Sequence, residues 1–548
     1  MTADRLLTVP RGVFVDAIAG EPAPVRRAAL RHRCRSDLWL FCATYLPARF
    51  TDRFSRMHHQ FLAREKIDWH QRTDTQRIAD AAPRENAKST IVSWASVIHD
   101  VVYGIEAYVC LLSTTFDLSE DLVKDLYEVL TDGEQYPELH ADFGPITVAG
   151  SKTDFIARLP DGDARGCRVK AFSFGGSIRG TKHAGIRPTK VIIDDGEHPD
   201  KARSATQRAR TWQFLVRDVL KAGGRGTTFR VVGTVLHPES MLERILTDSP
   251  GWRATRWKSI ESWPDRTDLW DRCKRRWADL TDPDRTDTAR RFYERHRAEM
   301  DRGAVVLWPA HESLYDLMVL RWSDGDAAFS FEKQNVPIDP NRQIFYPGTW
   351  RRCQVSGTTI TTSAGRLVDV RRCDVAGWLD PRSSRQIDRN DYAAAPVVAR
   401  ERTTGQIFVL SCFVERVVTA RQLRWMWSLY DLYPWGHFGY EDNGFAVLIG
   451  DLFNHQRAER RAVGRSDQLA LRGYCSTENK MDRIISLQPR IDLGWVEFAD
   501  TLPGLLVEQF RAIPTGTHDD APDAVERAIW LLDGPPVAVA DLGIGWSG

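Results

Sequence analysis

The chain has 548 residues, with 75 basic and 74 acidic side chains and a formal net charge of +1. Charged residues make up 27% and hydrophobic residues 42%, near the globular average, which excludes a disordered chain, a fibre and a collagen-like repeat. The length implies about three or four domains, and no run approaches the roughly 18 apolar residues of a membrane span.

The N-terminus, MTADRLLTVPRGVFVDAIAG, mixes acids with bases and lacks a long apolar core, so no signal peptide is expected and the cytoplasm is the expected compartment. Residues 25–70 read as helical, with DLWLFCATYL and then FSRMHHQFLAREKI placing apolar residues at helical spacing. A strand, RIADAA, leads through PRENAKST into the apolar helix IVSWASVIHDVVYG. Further strands are expected at EAYVCLLST, RVKAFSF, KVIIDD and TFRVVGT, with helices such as LSEDLVKDLYEVL and SATQRARTWQFLVRDVL among them. Strands alternating with helices predict an α/β fold with a largely parallel sheet. Residues 265–330 are charged and helical, with no strand signal, and the texture at 336–370 reads as a linker. CDVAGWLDP, APVVARE and QIFVLSCFVERVV then predict three strands, the last two joined as a hairpin across TTG. From Pro535 the chain is Gly- and Ala-rich and reads as a tail. The nine Cys are scattered with no CxxC pair, which points to reduced, buried thiols. Most of the 19 Trp are expected in cores.

Two constellations carry chemistry. PRENAKST sits between a strand and a helix, where a phosphate loop reads GxxxxGK[ST], but both glycine positions are alanine here, Ala82 and Ala87. In that reading Lys88 reaches the β- and γ-phosphates and Ser89 ligates Mg²⁺. The backbone N–H groups of Arg84, Glu85, Asn86, Ala87, Lys88 and Ser89, with Thr90 behind them, cradle the nucleotide at the helix N-terminus. Arg84 lies where it can sense or neutralise the γ-phosphate. KVIIDDGE ends an apolar strand in acids, so Asp194 is expected to hold Mg²⁺. Either Asp195 or Glu197 polarises the attacking water, with Glu197 favoured for its longer side chain. Gly233-Thr234 ends a later strand as a small polar tip.

The second constellation lies after residue 370. Asp380 ends the first strand of the second sheet, Glu441 follows the apolar run WGHFGY, and THDDAPDAVERAIW places Asp519, Asp520 and Asp523 at a helix start. An acid on a first strand, one at a later strand end and one at a helix start cluster the metal ligands of an RNase H-like fold, where two Mg²⁺ or Mn²⁺ ions clamp a phosphodiester. Taken singly, Asp519 and Asp520 also suit helix capping.

An ATPase fused to an RNase H-like nuclease resembles the large terminase subunit, the DNA-packaging motor of tailed bacteriophages. PRENAKST, SIRGTKHAGIRPTKVIIDD, VVGT and FEKQNVPID resemble its ATPase motifs, and VAGWLDP, YEDNG and HDDAPDA its three nuclease motifs, with KMDRIISLQP and GWVEF between the last two. The resemblance implies nucleotide contacts from Lys88, Ser89 and Gln60, and Walker B metal binding by Asp194. It implies nuclease metal binding by Asp380, Glu441 and Asp520, with Asp519 a close alternative. It implies ATP and Mg²⁺ as cofactors, with Mn²⁺ an alternative at the nuclease site. The implied partners are double-stranded DNA, a procapsid portal, a small terminase subunit and further copies in a ring, expected to be a pentamer. Transient docking on the procapsid in the host cytoplasm follows. DNA contact is expected through phosphates, with RATRWK and RRAVGR as Arg-rich faces. The expected division is a helical segment 1–70, an ATPase core 71–264, a helical subdomain 265–340 closing the ATPase half, a linker 341–370, a nuclease 371–534 and a tail 535–548. A helicase or translocase without cutting activity leaves the acids after residue 370 unexplained. An RNase H-like integrase or transposase leaves the phosphate loop unexplained, and the intact Lys88, Asp194, Asp380 and Glu441 speak against a decayed scaffold.

Overall fold

The run QRIADA forms strand β1 (Gln76–Ala81), and its four last residues are buried. It opens a sheet with β2 (Tyr108–Ser113), β3 (Thr147–Ser151), β4 (Asp154–Arg158), β5 (Cys167–Ser173), β6 (Lys190–Asp194), β7 (Thr228–Gly233) and β8 (Arg253–Arg256). This computed structural model describes residues 22–50, 53–62, 68–336, 343–380, 392–442, 446–476, 478–534 and 540–541. The sheet order is β3-β4-β5-β2-β6-β7-β1-β8, parallel from β5 to β8. Every residue of β2 and β6 is buried, as strands covered on both faces must be. Alternate side chains serve opposite cores: Val109 and Leu111 face one, Tyr108, Cys110 and Leu112 the other.

The hairpin β3–β4 was not legible, because most of β3 is exposed and polar. Its bend needs Gly150 at φ 122, where a Cβ would lie 2.4 Å from the Asp154 carbonyl oxygen. Two short strands, β9 (Ile260–Ser262) and β10 (Val305–Val306), form a separate antiparallel ribbon, so the expected strand-free stretch 265–330 does contain one strand.

The second sheet comprises β11 (Arg352–Ser356), β12 (Thr359–Thr361), β13 (Leu367–Asp369), β14 (Cys373–Leu379), β15 (Ala393–Glu401), β16 (Ile407–Glu415), β17 (His437–Glu441), β18 (Leu471–Tyr474), β19 (Val496–Ala499) and β20 (Ala540–Asp541). Its middle runs β16-β15-β14-β17-β18: an antiparallel meander of three strands with two further strands parallel to β14. That is the arrangement of an RNase H-like fold. The helix Asp520–Leu532 packs on β14 and β15.

Residues 341–370 are not simply the expected linker, because they hold β11, β12 and β13, and β11 pairs with β19. They read as a linker because β12 and β13 are short and bury little beyond Ile360 and Val368. The expected tail from Pro535 supplies β20, which pairs with β18.

The chain divides into two compact units. One holds residues 1–265, 301–318 and 327–338; the other holds 266–300, 319–326 and 339–548. The expected helical subdomain 265–340 is therefore split. Its helices Thr267–Trp277 and Arg285–Met300 belong with the second unit. The cause is aromatic: Trp277 stacks on Trp495 at 5.5 Å, Trp495 Nε1 donates to the Ala278 carbonyl at 2.8 Å, and Arg285 lies 4.9 Å over the Trp495 ring. All nine cysteines are free thiols and eight are buried. Among the described residues, no helix is long and apolar enough to cross a membrane.

Candidate active sites

β1 ends at Ala81, and the loop that follows turns into a helical segment over Thr90–Ala95 that continues as Ser96–Val102. Apolar burial fixes that segment, since Ile91, Val92, Trp94, Ala95, Val97 and Ile98 all join the core. β7 lies between β1 and β6, and all three run parallel, so the ends of β1 and β6 open at one edge of the sheet. Lys88 and Ser89 there meet Asp194 and Asp195. The Lys88 ammonium is 3.2 Å from Asp195 Oδ2. Ser89 Oγ donates to Asp194 Oδ1 at 2.9 Å, and Ser93 Oγ to Asp194 Oδ2 at 2.5 Å. Burial, with the Asp195 charge beside it, pushes Asp194 up to about 6, against the pull of Ser93, Lys88 and Ser89. The Thr234 N–H donates to Asp195 Oδ1 at 3.3 Å, so the tip of β7 also touches this carboxylate.

The loop has no glycine, yet Glu85 and Ala87 sit at φ 67 and 52. Each left-handed residue costs about 1–2 kcal/mol. Alternation of left- and right-handed residues turns backbone N–H groups to one side and forms an anion-binding nest. Glu197 is placed elsewhere: its carboxylate accepts the Met241 and Leu242 N–H groups at 2.8 and 3.3 Å, capping the helix Met241–Asp248. Arg84 pairs with Glu332 at 2.5 Å and is largely exposed. Gln60, also exposed, donates to Thr255 Oγ1 at 3.3 Å. Thr90 opens the helical segment behind the loop.

In the second unit, Leu379 pairs with Tyr440, so Asp380 and Glu441 follow abreast on neighbouring parallel strands. Asp519 is the N-cap residue of the helix Asp520–Leu532 and makes no side-chain cap bond. Asp520 Oδ2 instead accepts the Tyr392 N–H at 3.2 Å. Burial raises Asp380 well above the carboxylate range, and Asp520, Asp523 and Glu441 add to the rise against the pull of Lys480. The Lys480 ammonium lies 2.8 Å from Asp519, 3.9 Å from Asp520 and 3.7 Å from Asp523. Burial pulls Lys480 down, but Asp380, Asp523 and Asp519 raise it above its ordinary range, so it stays charged. Arg483 holds Asp523 at 2.8 Å.

Among the described residues no three His, Cys, Asp or Glu side chains stand together as a ready metal cage. The donor chemistry nevertheless suits a hard cation: the acids supply oxygen ligands, and their mutual repulsion is met by the Lys480 ammonium among them. Pro381, Asn443 and Gly444 of the acid motifs lie outside the described residues. The Arg-rich faces are partly committed to ion pairs, Arg256 with Glu243 at 2.6 Å, Arg461 with Asp467 at 2.6 Å, and Arg460 with Asp431.

No protein-family model matches this sequence, and no curated protein matches it. Among solved structures, the large terminase of a thermophilic bacteriophage aligns at 8% identity over 88% of this chain and 99% of its own, with a TM-score of 0.47. The bacteriophage HK97 large terminase aligns at 13% identity over 89% of this chain and 96% of its own, with a TM-score of 0.30. Both of these solved structures are large terminases. The human cytomegalovirus terminase nuclease domain aligns with 29% of this chain and 84% of its own, at 14% identity and a TM-score of 0.24.

Sequence reading missed four residues at these sites. Lys480 and Arg483 lie on a helix whose spacing carries no charge signature, and Lys333 lies far along the chain from the loop it touches. The fourth, His58, sits in the HHQFL segment and is fully buried. The Ser55 N–H donates to its Nδ1 at 3.1 Å, so Nε2 carries the proton and donates to the Asn86 carbonyl at 3.0 Å. Burial lowers His58 to about 4. Its stabilising share is therefore present above about pH 6.5 and is lost as pH falls towards 4, up to about 3 kcal/mol. His58→Gln removes that loss. Melting temperatures of wild type and variant, compared from pH 7 to 4, should converge or cross as pH falls; a constant gap would refute the assignment.

Proposed function

We propose that this chain is the ATPase and nuclease subunit of a viral DNA-packaging motor. The observation that carries the ATPase half is the meeting of Lys88 and Ser89 with Asp194 and Asp195 at one sheet edge. Ser89 and Asp194 are the residues to hold Mg²⁺, whose chemistry is to neutralise charge on the phosphates. Lys88 exchanges Asp195 for the β- and γ-phosphates as ATP enters the nest. The released Asp195 carboxylate then orients the attacking water and accepts its proton. Glu197, tied to two backbone N–H groups, is a structural cap in this reading. Thr234, on the Asp195 carboxylate, reports the change along β7.

Asp380, Glu441, Asp520 and Asp519 are the residues to hold divalent Mg²⁺ or Mn²⁺ for cutting, where the ions' chemistry is to offset charge on a phosphodiester. Lys480 compensates the acids meanwhile. The packaging role, the double-stranded DNA substrate, the portal and small-subunit partners and the pentameric ring rest on the motif set, from PRENAKST to HDDAPDA.

The test compares two variants of the full chain for phosphate release from ATP. Asp195→Asn should lower kcat by about 10²–10⁴. Glu197→Gln should keep most of kcat while losing about 1 kcal/mol of stability through the weakened cap. The reverse pattern would move the base to Glu197, and no hydrolysis by wild type under any nucleotide condition would remove the ATPase reading.

A further inference from the structure

A phosphate loop without glycine must be held in its left-handed turns by something outside it. The residues that precede its two left-handed positions, Glu85 and Ala87, are Arg84 and Asn86, and their carbonyls are the ones to hold. Both accept from buried donors in distant segments, and the Arg84 carbonyl also accepts the Asn86 side-chain N–H from within the loop at 3.2 Å. Lys333 Nζ reaches the Arg84 carbonyl at 3.2 Å and the Glu85 carboxylate at 3.1 Å, and it also pairs with Glu312. His58 Nε2 reaches the Asn86 carbonyl at 3.0 Å. At 2% and 0% exposure, neither donor is open to competition from water.

Lys333 is itself fixed. It caps the helix that ends at Glu332, and its own carbonyl accepts the Ser259 N–H at 2.7 Å. The same helix end accepts the Arg84 N–H at 3.0 Å through the Glu332 carbonyl. His58 is fixed by Ser55 on one side and by the Trp308 ring at 4.3 Å.

We propose that Lys333 and His58 are positioning residues that hold a glycine-free phosphate loop in its anion-binding conformation. They replace, from outside the loop, the backbone freedom that glycine supplies in other such loops. The inference deepens the ATPase reading and rests on it. It makes a distinctive demand: a glycine placed at the left-handed position should substitute for the lost brace. Loss of a merely structural contact would not be repaired that way.

The experiment titrates full-length chain with Mg²⁺·ADP by calorimetry and follows steady-state ATP hydrolysis alongside. Lys333→Met should weaken ADP binding at least fivefold and raise the KM for ATP similarly, with a smaller change in kcat. Adding Glu85→Gly to that variant should return the affinity to within about twofold of wild type. His58→Ala with and without Ala87→Gly is an independent pair expected to behave the same way, and it serves if Lys333→Met does not fold. A folded Lys333→Met chain that binds ADP as tightly as wild type overturns the proposal. So does failure of both glycine substitutions to restore binding. Wild type that does not bind Mg²⁺·ADP would instead sink the underlying ATPase reading.

Discussion

Lys88→Ala should leave a folded chain whose ATP turnover falls by about three orders of magnitude. Lys88 is the ammonium that faces the acidic pair at the end of β6, and it is only 7% exposed. Removing it takes away the charge that meets the phosphates. It also leaves Asp194 and Asp195 repelling each other with less compensation, so Asp194 rises further and becomes a poorer cation ligand. The two effects act in the same direction. The fold should persist, because the flanking helix is held by Ile91, Val92, Trp94 and their neighbours rather than by Lys88. Phosphate release by the purified variant, beside a circular dichroism melt, checks this. Near-wild-type turnover in a folded variant would dismiss the loop as a nucleotide site.

Asp380→Asn should abolish DNA cutting without lowering stability at neutral pH. A carboxyl whose pKa is raised by burial and by neighbouring acids is destabilising when ionised. Its folded-state pKa lies above the unfolded value, so its contribution favours folding at low pH and is lost as pH rises through the folded value. The amide keeps the shape and removes that charge. Melting should therefore be unchanged or higher at pH 7, although Lys480 loses one anion beside it. Cutting should fall by at least about 10³, since a ligand abreast of Glu441 would be gone. Relaxation of supercoiled plasmid in Mg²⁺ or Mn²⁺, with an EDTA control, measures it. A variant that nicks plasmid as wild type does, or wild type that cuts equally well in EDTA, would defeat the nuclease reading.

The strands and helices around both sites were legible because each is a local pattern. Apolar runs such as KVIID and YVCLLS end in polar turns, and the strand, AKST and apolar helix succeed one another within thirty residues. The acids at Asp194, Asp380 and Glu441 stand at strand ends, where alternation in the preceding strand already sets their direction. What escaped was set by segments distant in the chain. Glu197 and Asp195 look equivalent in DDGE, and only the helix start at Met241, 44 residues on, draws the longer side chain away. Lys480 enters the acid cluster from a helix about forty residues before its partners Asp519, Asp520 and Asp523. Strands β11 to β13 are too polar to announce themselves, and Trp495 reaches the Ala278 carbonyl and stacks on Trp277 across 217 or more residues of chain. Sequence by itself determined the elements that flank both sites and the acids and bases they carry, because hydrophobic periodicity and turn chemistry act over a few residues. The tertiary structure alone decided which charge neutralises which, because Coulomb energy and hydrogen bonding depend on distances in space that chain separation does not encode.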